Sequence, residues 1–164
     1  PRMAVVSQGG LFGYADLEQG RLLLPPVYQD AGPFREGLAV VRLGDRFGLI
    51  DRDGVWRIDC GRYDYVGPLS GGRALVRRDG LYGFIDRHGR EAIAVRYPFA
   101  CRFHEGRAVV RIGDKYGYID TEGRQAIPPV FDRAYRFIGG KARVNRCGET
   151  FFIDKSDECW LKFD

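Results

Sequence analysis

The chain has 164 residues, 45% hydrophobic and 29% charged, with a formal net charge of +4. That composition excludes a disordered chain and suits one folded domain able to bury a core. The basic excess comes from 22 arginines against 4 lysines spread along the chain, a balance that suits an acidic partner without marking a local cluster. No apolar run approaches the ~20 residues needed to cross a bilayer as a helix, so no membrane insertion is expected. The chain starts at Pro1 without an initiator Met or a signal-like segment. It therefore reads as a fragment of a longer or processed protein, and its compartment is not legible.

The first predicted strand is Ala4-Val5-Val6, followed by a Gly9-Gly10 loop, then Phe12-Gly13 and Asp16. A turn at Gly20 leads to a third apolar segment ending Pro25-Pro26-Val27-Tyr28, and the unit closes at Gly37. The same order returns at once. Leu38-Ala39-Val40-Val41, Gly44, Phe47-Gly48, Asp51, Gly54, Tyr63 and Gly72 form a second unit. Arg73-Ala74-Leu75-Val76, Gly80, Tyr82-Gly83, Asp86, Gly89, Tyr97 and Gly106 form a third. Arg107-Ala108-Val109-Val110, Gly113, Tyr116-Gly117, Asp120, Gly123, Pro128-Pro129-Val130-Phe131 and Gly140 form a fourth. A fifth opens with Lys141-Ala142-Arg143-Val144 and keeps Gly148 and Asp154, but Thr150-Phe151 replaces aromatic-Gly and Asp157 replaces the turn glycine. The units span about residues 4–37, 38–72, 73–106, 107–140 and 141–164, a period of 34 or 35 residues within a single repeat domain, residues 1–164. So many coincidences at one period mark a repeat architecture with a degenerate terminal unit.

These residues resemble the WG-repeat family of bacterial proteins. Its unit reads roughly Gly-x-Trp-Gly-hydrophobic-Ile-Asp, a turn glycine, Ile-Pro-Pro-x-Tyr-Asp, and Phe-x-x-Gly-hydrophobic-Ala-x-Val. The match is closest from Gly117-Tyr118-Ile119-Asp120 to Gly140 and from Phe34 to Asp51, with Phe or Tyr wherever the family has Trp. The resemblance implies a β-rich repeat module with no general enzymatic activity.

Within each unit the first two segments read as a hairpin closed by a four-residue loop. Pairing Arg42 with Phe47 sets Val40 opposite Leu49, and the same register sets Arg73 opposite Asp86, Arg107 opposite Asp120 and Lys141 opposite Asp154. A cross-strand ion pair is thus the expected role of the recurring Asp. The other hairpin face carries small residues such as Ala39 and Gly48, which predicts a close approach by another backbone or a ring. Two sets of rings are candidates for the core: Tyr28, Tyr63, Tyr97 and Phe131, and Phe34, Phe103 and Phe137 with Leu69. Pro25-Pro26 and Pro128-Pro129 are expected to end the third strand. The segment beyond, such as residues 30–36, reads as an irregular crossover with room for one helical turn.

The sequence thus predicts an all-β fold of about three strands per unit. An open, elongated array is favoured over a small five-bladed, propeller-like ring, since propeller repeats usually run to ~40–50 residues. The nine positions Phe47, Gly48, Asp51, Tyr82, Gly83, Asp86, Tyr116, Gly117 and Asp120 are expected to be structural. No catalytic, cofactor-binding or metal-binding residue is expected. One aspartate per repeat sits in repeated surroundings, whereas acid–base chemistry needs two unlike environments. Cys60, Cys101, Cys147 and Cys159 form no close pair, and His88 and His104 lie far from them, so no metal site is read. No nucleotide-binding, hydrolase, zincin or EF-hand pattern is present. The leading expectation is a non-catalytic scaffold or binding module for another protein, one of acidic character fitting the charge. A glycan or cell-wall module is the alternative, and nucleic acid is disfavoured.

Overall fold

The computed structural model describes residues 2–61, 63–155 and 159–163. Asp157, read as standing at the turn-glycine place of the fifth unit, lies outside the described residues. Among those described, the fold is all-β, in five antiparallel sheets that follow one another along the chain. The first holds β1 (Met3–Gln8), β2 (Leu11–Asp16) and β3 (Arg21–Tyr28). The second holds β4 (Asp30–Ala31), β5 (Ala39–Leu43), β6 (Arg46–Ile50) and β7 (Trp56–Asp59). The third holds β8 (Tyr65–Ser70), β9 (Arg73–Arg78), β10 (Leu81–Ile85) and β11 (Glu91–Tyr97). The fourth holds β12 (Phe99–Ala100), β13 (Ala108–Ile112), β14 (Lys115–Ile119) and β15 (Gln125–Phe131). The fifth holds β16 (Arg133–Ala134), β17 (Ala142–Arg146), β18 (Glu149–Ile153) and β19 (Cys159–Phe163).

The hairpin register is the one read from sequence, with Arg42 opposite Phe47 and Val40 opposite Leu49. Three expectations are corrected. The tail of each unit is not helical, and only part of it is irregular. It forms a further strand, β4, β8, β12 or β16, that pairs with the first hairpin strand of the next unit. Sheets two to five are therefore four-stranded, and each borrows one strand from the unit before it. The proline pairs do not end the third strand either. Pro25-Pro26 lie within β3 and Pro128-Pro129 within β15, at bulges where the register to the second hairpin strand shifts. A bulge leaves residues outside the ladder, so a missing N–H costs nothing there.

Those bulges explain the strand glycines. Phe12 pairs with Tyr28 and Tyr14 with Leu24, so three residues of β3 bow out opposite the single residue Gly13. A Cβ on Gly13 would stand 2.5 Å from the Leu24 carbonyl oxygen. A Cβ on Gly83 would be 2.7 Å from the Ile93 carbonyl oxygen and the Val95 backbone, and one on Gly117 2.7 Å from the Ile127 carbonyl oxygen. In the second unit Gly48 pairs directly with Asp59, and a Cβ there would run into the Trp56 ring. The close approach is thus made by the unit's own third strand, and neither proposed set of rings supplies it.

Both sets of rings lie in the core, as expected, with Phe34 half-buried and the rest buried. That core forms between sheets. Tyr14, Leu24 and Tyr28 of the first sheet pack against Ala39, Val41 and Ile50 of the second. Leu49 and Ile58 of the second pack against Ala74, Val76 and Ile85 of the third. Phe84 and Ile93 then meet Ala108, Val110 and Ile119, and Tyr118 and Ile127 meet Ala142, Val144 and Ile153. Because side chains alternate along a strand, Leu49 faces forward while Ile50 faces back. The leading face of the first sheet is covered less: Ala4, Val6 and Ala15 are half-buried where Ala39, Val41 and Ile50 are at most 1% exposed. The five sheets form an open succession.

Replacing Gly83 tests the packing most sharply, because the obstructing atoms are backbone. Gly83→Ala and Gly83→Val should each lower stability, the larger side chain by about 1–3 kcal/mol. A thermal melt at or above that of the parent would show that β11 does not press on β10 as described.

Candidate functional site

The recurring aspartates close a turn. The Asp86 carboxylate accepts backbone N–H groups from His88 at 2.8 Å and Arg90 at 3.0 Å, and the Arg90 side chain donates to it at 3.0 Å. Asp120 repeats this with Glu122 and Arg124, Asp51 with Asp53, Val55 and Arg57, and buried Asp16 takes the N–H groups of Glu18 and Gln19. The expected partner of Asp86 was Arg73. The strand register does run towards it, but the ladder ends one pair short, at Ala74–Ile85. Arg73 instead donates to the Thr121 carbonyl at 2.9 Å and lies 3.8 Å from Glu122, in the next unit. An Arg four or six residues beyond the carboxylate wins because the turn itself brings it there.

Burial raises the affinity of the Asp51, Asp86 and Asp120 carboxylates for protons, but the hydrogen bonds and the Arg charge outweigh it, and all three sit below the ordinary carboxylate range. Each turn also touches the preceding unit. A Cβ on Gly54 would meet Leu24, one on Gly89 Ile58, and one on Gly123 Ile93. The three glycines have φ of 81–82°, so backbone freedom and space require them together. The aromatics Phe47, Tyr82 and Tyr116 are half-buried against the inter-sheet cores, beside the buried Gly48, Gly83 and Gly117. Among the described residues no three His, Cys, Asp or Glu side chains gather as metal ligands. Cys60 is buried, Cys101 half-buried and Cys147 exposed.

A second feature breaks the repeat. Between successive sheets, where the short edge strands lie, the surface forms a groove. Between sheets two and three it is lined by Ala31, Pro33, Phe47, Tyr65 and Pro68, with Asp30 at its edge. Between sheets four and five the same place opens to about 820 Å³. Counting from the closing glycines, Pro33 and Pro68 correspond there to Arg102 and Arg136, and Asp30 and Tyr65 to Phe99 and Arg133. Phe99 and Tyr116 meet edge to face at 5.7 Å, and Tyr135 carries the Arg143 guanidinium 4.3 Å above its ring. Tyr118, whose hydroxyl burial pushes far above the phenol range, donates to the Tyr135 carbonyl at 2.6 Å and holds that wall. Among the described residues no Asp or Glu lines the groove. Arg102, Arg133 and Arg136 are exposed and make no ion pair among the described residues. His104, also in the lining, is pushed below its usual value by burial and then by Arg136 and Arg102, against the pull of Glu105.

Apart from Phe47 and Tyr116, none of these groove residues was among the nine recurring positions. In one dimension the arginines are evenly spread, and they converge only when two unit tails lie side by side. The available signal was the loss of proline at two aligned tail positions.

The model of the WG containing repeat matches residues 12–46, 47–82, 82–116 and 116–146. The chain belongs to this family. No curated protein matches it. Among solved structures it is similar to Hsv2 from Kluyveromyces marxianus, at 9% identity and a TM-score of 0.64 over 99% of this chain and 61% of that one. It is similar to Kluyveromyces lactis Hsv2 at 8% identity and a TM-score of 0.59, over 99% of this chain and 60% of that one. A eukaryotic initiation factor follows at 10% identity and a TM-score of 0.61, over 96% and 51%. The WG-repeat chain thus spans about three fifths or less of these structures, and its sheets are arranged as in β-propeller-like proteins. Among the described residues no helix is long and apolar enough to cross a membrane.

The turn geometry gives a graded expectation. Asp86→Asn keeps an acceptor for the two backbone N–H groups and loses the charge, whereas Asp86→Ala loses both, so Ala should destabilise more, by about 1 kcal/mol or somewhat above. Because the folded carboxylates lie below their unfolded values, the unfolded chain binds more protons in the window between. Stability should then be complete above about pH 4 and fall as acid titrates the folded groups. A chemical-denaturation series across that range, flat for the parent chain, would rule this out.

Proposed function

We propose that this repeat domain is a non-catalytic protein-binding module and that the groove between its fourth and fifth sheets is the recognition surface. The observation that carries this is the break in symmetry. The fold makes the same groove at least twice, and one copy alone exchanges its prolines for exposed arginines above aromatic walls. A position that departs from its repeat while the fold is kept serves something other than the fold. The recurring aspartates and strand glycines, by contrast, serve the turn and the bulge. Asp51, Asp86 and Asp120 are shifted in the same direction by the same kinds of contact, whereas acid–base catalysis separates its two groups.

Glycan binding is less well supported. Sugar rings stack on free aromatic faces, but Phe99 and Tyr116 engage each other and Arg143 covers one face of Tyr135.

The test is comparative capture from source cells with the parent chain and an Arg133→Glu/Arg136→Glu chain as baits, beside binding to isolated cell-wall polysaccharide. Both residues are exposed, so the melting temperature should hold. One or a few proteins should be retained at least about tenfold better by the parent, the scale of hot-spot loss. Equal protein capture by both baits, together with retention on the polysaccharide, would reject the reading.

A further inference from the structure

We infer that the groove between the fourth and fifth sheets takes an extended acidic peptide segment with an apolar side chain at its centre. This rests on the protein-binding reading and gives it a chemistry. Arg102 follows the short strand β12 on one wall, and Arg133 and Arg136 stand in and beyond β16 on the other. β12 and β16 are edge strands of their sheets. Successive side chains of an extended chain point to opposite sides, so acidic residues on one strand of peptide reach both walls. Guanidinium forks bind carboxylates at two points, and among the described residues no carboxylate in the groove competes for them.

The rest of the groove asks for more than charge. Ile138 is 66% exposed and Tyr135 42% exposed at its margin, with Phe99 and Tyr116 deeper. A bare anion would leave these in water, whereas an apolar side chain between acidic neighbours would cover them. Nucleic acid would need a row of open ring faces for its bases, whereas Phe99 and Tyr116 engage each other and Arg143 covers one face of Tyr135. The volume of about 820 Å³ falls within the ~300–1,000 Å³ of ordinary ligand sites. His104 lies in the same wall, its basicity lowered by burial and then by Arg136 and Arg102, so carboxylates arriving there would raise it. It is a built-in reporter of occupancy.

The experiment is fluorescence anisotropy of a short labelled peptide alternating Glu and Leu, against the same peptide with Lys for Glu, oligothymidylate and inorganic polyphosphate. NMR titration of His104 accompanies it. The acidic peptide should bind the parent chain and lose at least about tenfold in affinity with Arg133→Glu/Arg136→Glu. It should weaken as salt rises and move the His104 titration midpoint upward. Oligothymidylate or polyphosphate binding as tightly, with the same arginine dependence, would overturn the peptide assignment. So would an acidic peptide that fails to bind while arginine-dependent protein capture persists, which leaves protein binding standing. Loss of both peptide binding and arginine-dependent capture would remove the two together.

Discussion

Every interior sheet of this molecule must be covered on both faces, and only its neighbours can do it. A small antiparallel sheet commonly buries one face and wets the other. Here Ile50 packs backward and Leu49 forward from adjacent positions of one strand, and both are fully buried. A unit taken alone would expose two apolar faces, which is why such repeats gain stability from the interfaces between them. The borrowed edge strand ties the same knot through hydrogen bonds. β4, β8, β12 and β16 each leave one unit to complete the sheet of the next.

From that constraint the conserved features of the unit follow. Sheets this close leave little room for a Cβ on the turn glycines, where Leu24, Ile58 and Ile93 press in from the preceding unit. The aspartate that precedes each of these glycines sets the turn that offers this contact. Gly20 belongs to the first unit, and a Cβ there would meet nothing within 4 Å. Its glycine answers to backbone conformation alone, with φ at 64°.

What could be read from sequence was whatever repeats locally. The hairpin register depends on residues a few positions apart, the pinch at the strand glycines on a strand about ten residues further on, and the period on the return of both every 34 or 35 residues. The partners of Asp86 and Asp120 were misread because the strand register brings Arg73 near Asp86, while a turn closing within four residues brings Arg90 nearer. The role of the prolines was misread because a bulge is defined by its partner strand, which Pro25 and Pro26 do not reveal alone. The fourth strand escaped because Asp30–Ala31 and its counterparts are two residues long and pair across a unit boundary. The groove escaped for the same reason on a larger scale. Arg102 and Arg136 are a full unit apart in the chain, and only the stacking of two tails makes them one surface.

The dependence of each sheet on its neighbours is open to one direct measurement: hydrogen exchange, read by mass spectrometry, on the full chain carrying Leu49→Ala. Leu49 belongs to the second sheet and packs against the third, and its loss should leave a cavity costing about 2–5 kcal/mol. Protection should then fall in both the β5–β6 and the β9–β10 hairpins, while the β13–β14 hairpin, one sheet further on, keeps most of its own. Loss confined to β5–β6, with β9–β10 exchanging as in the parent, would mean that the sheets stand by themselves and would contradict this account of the fold.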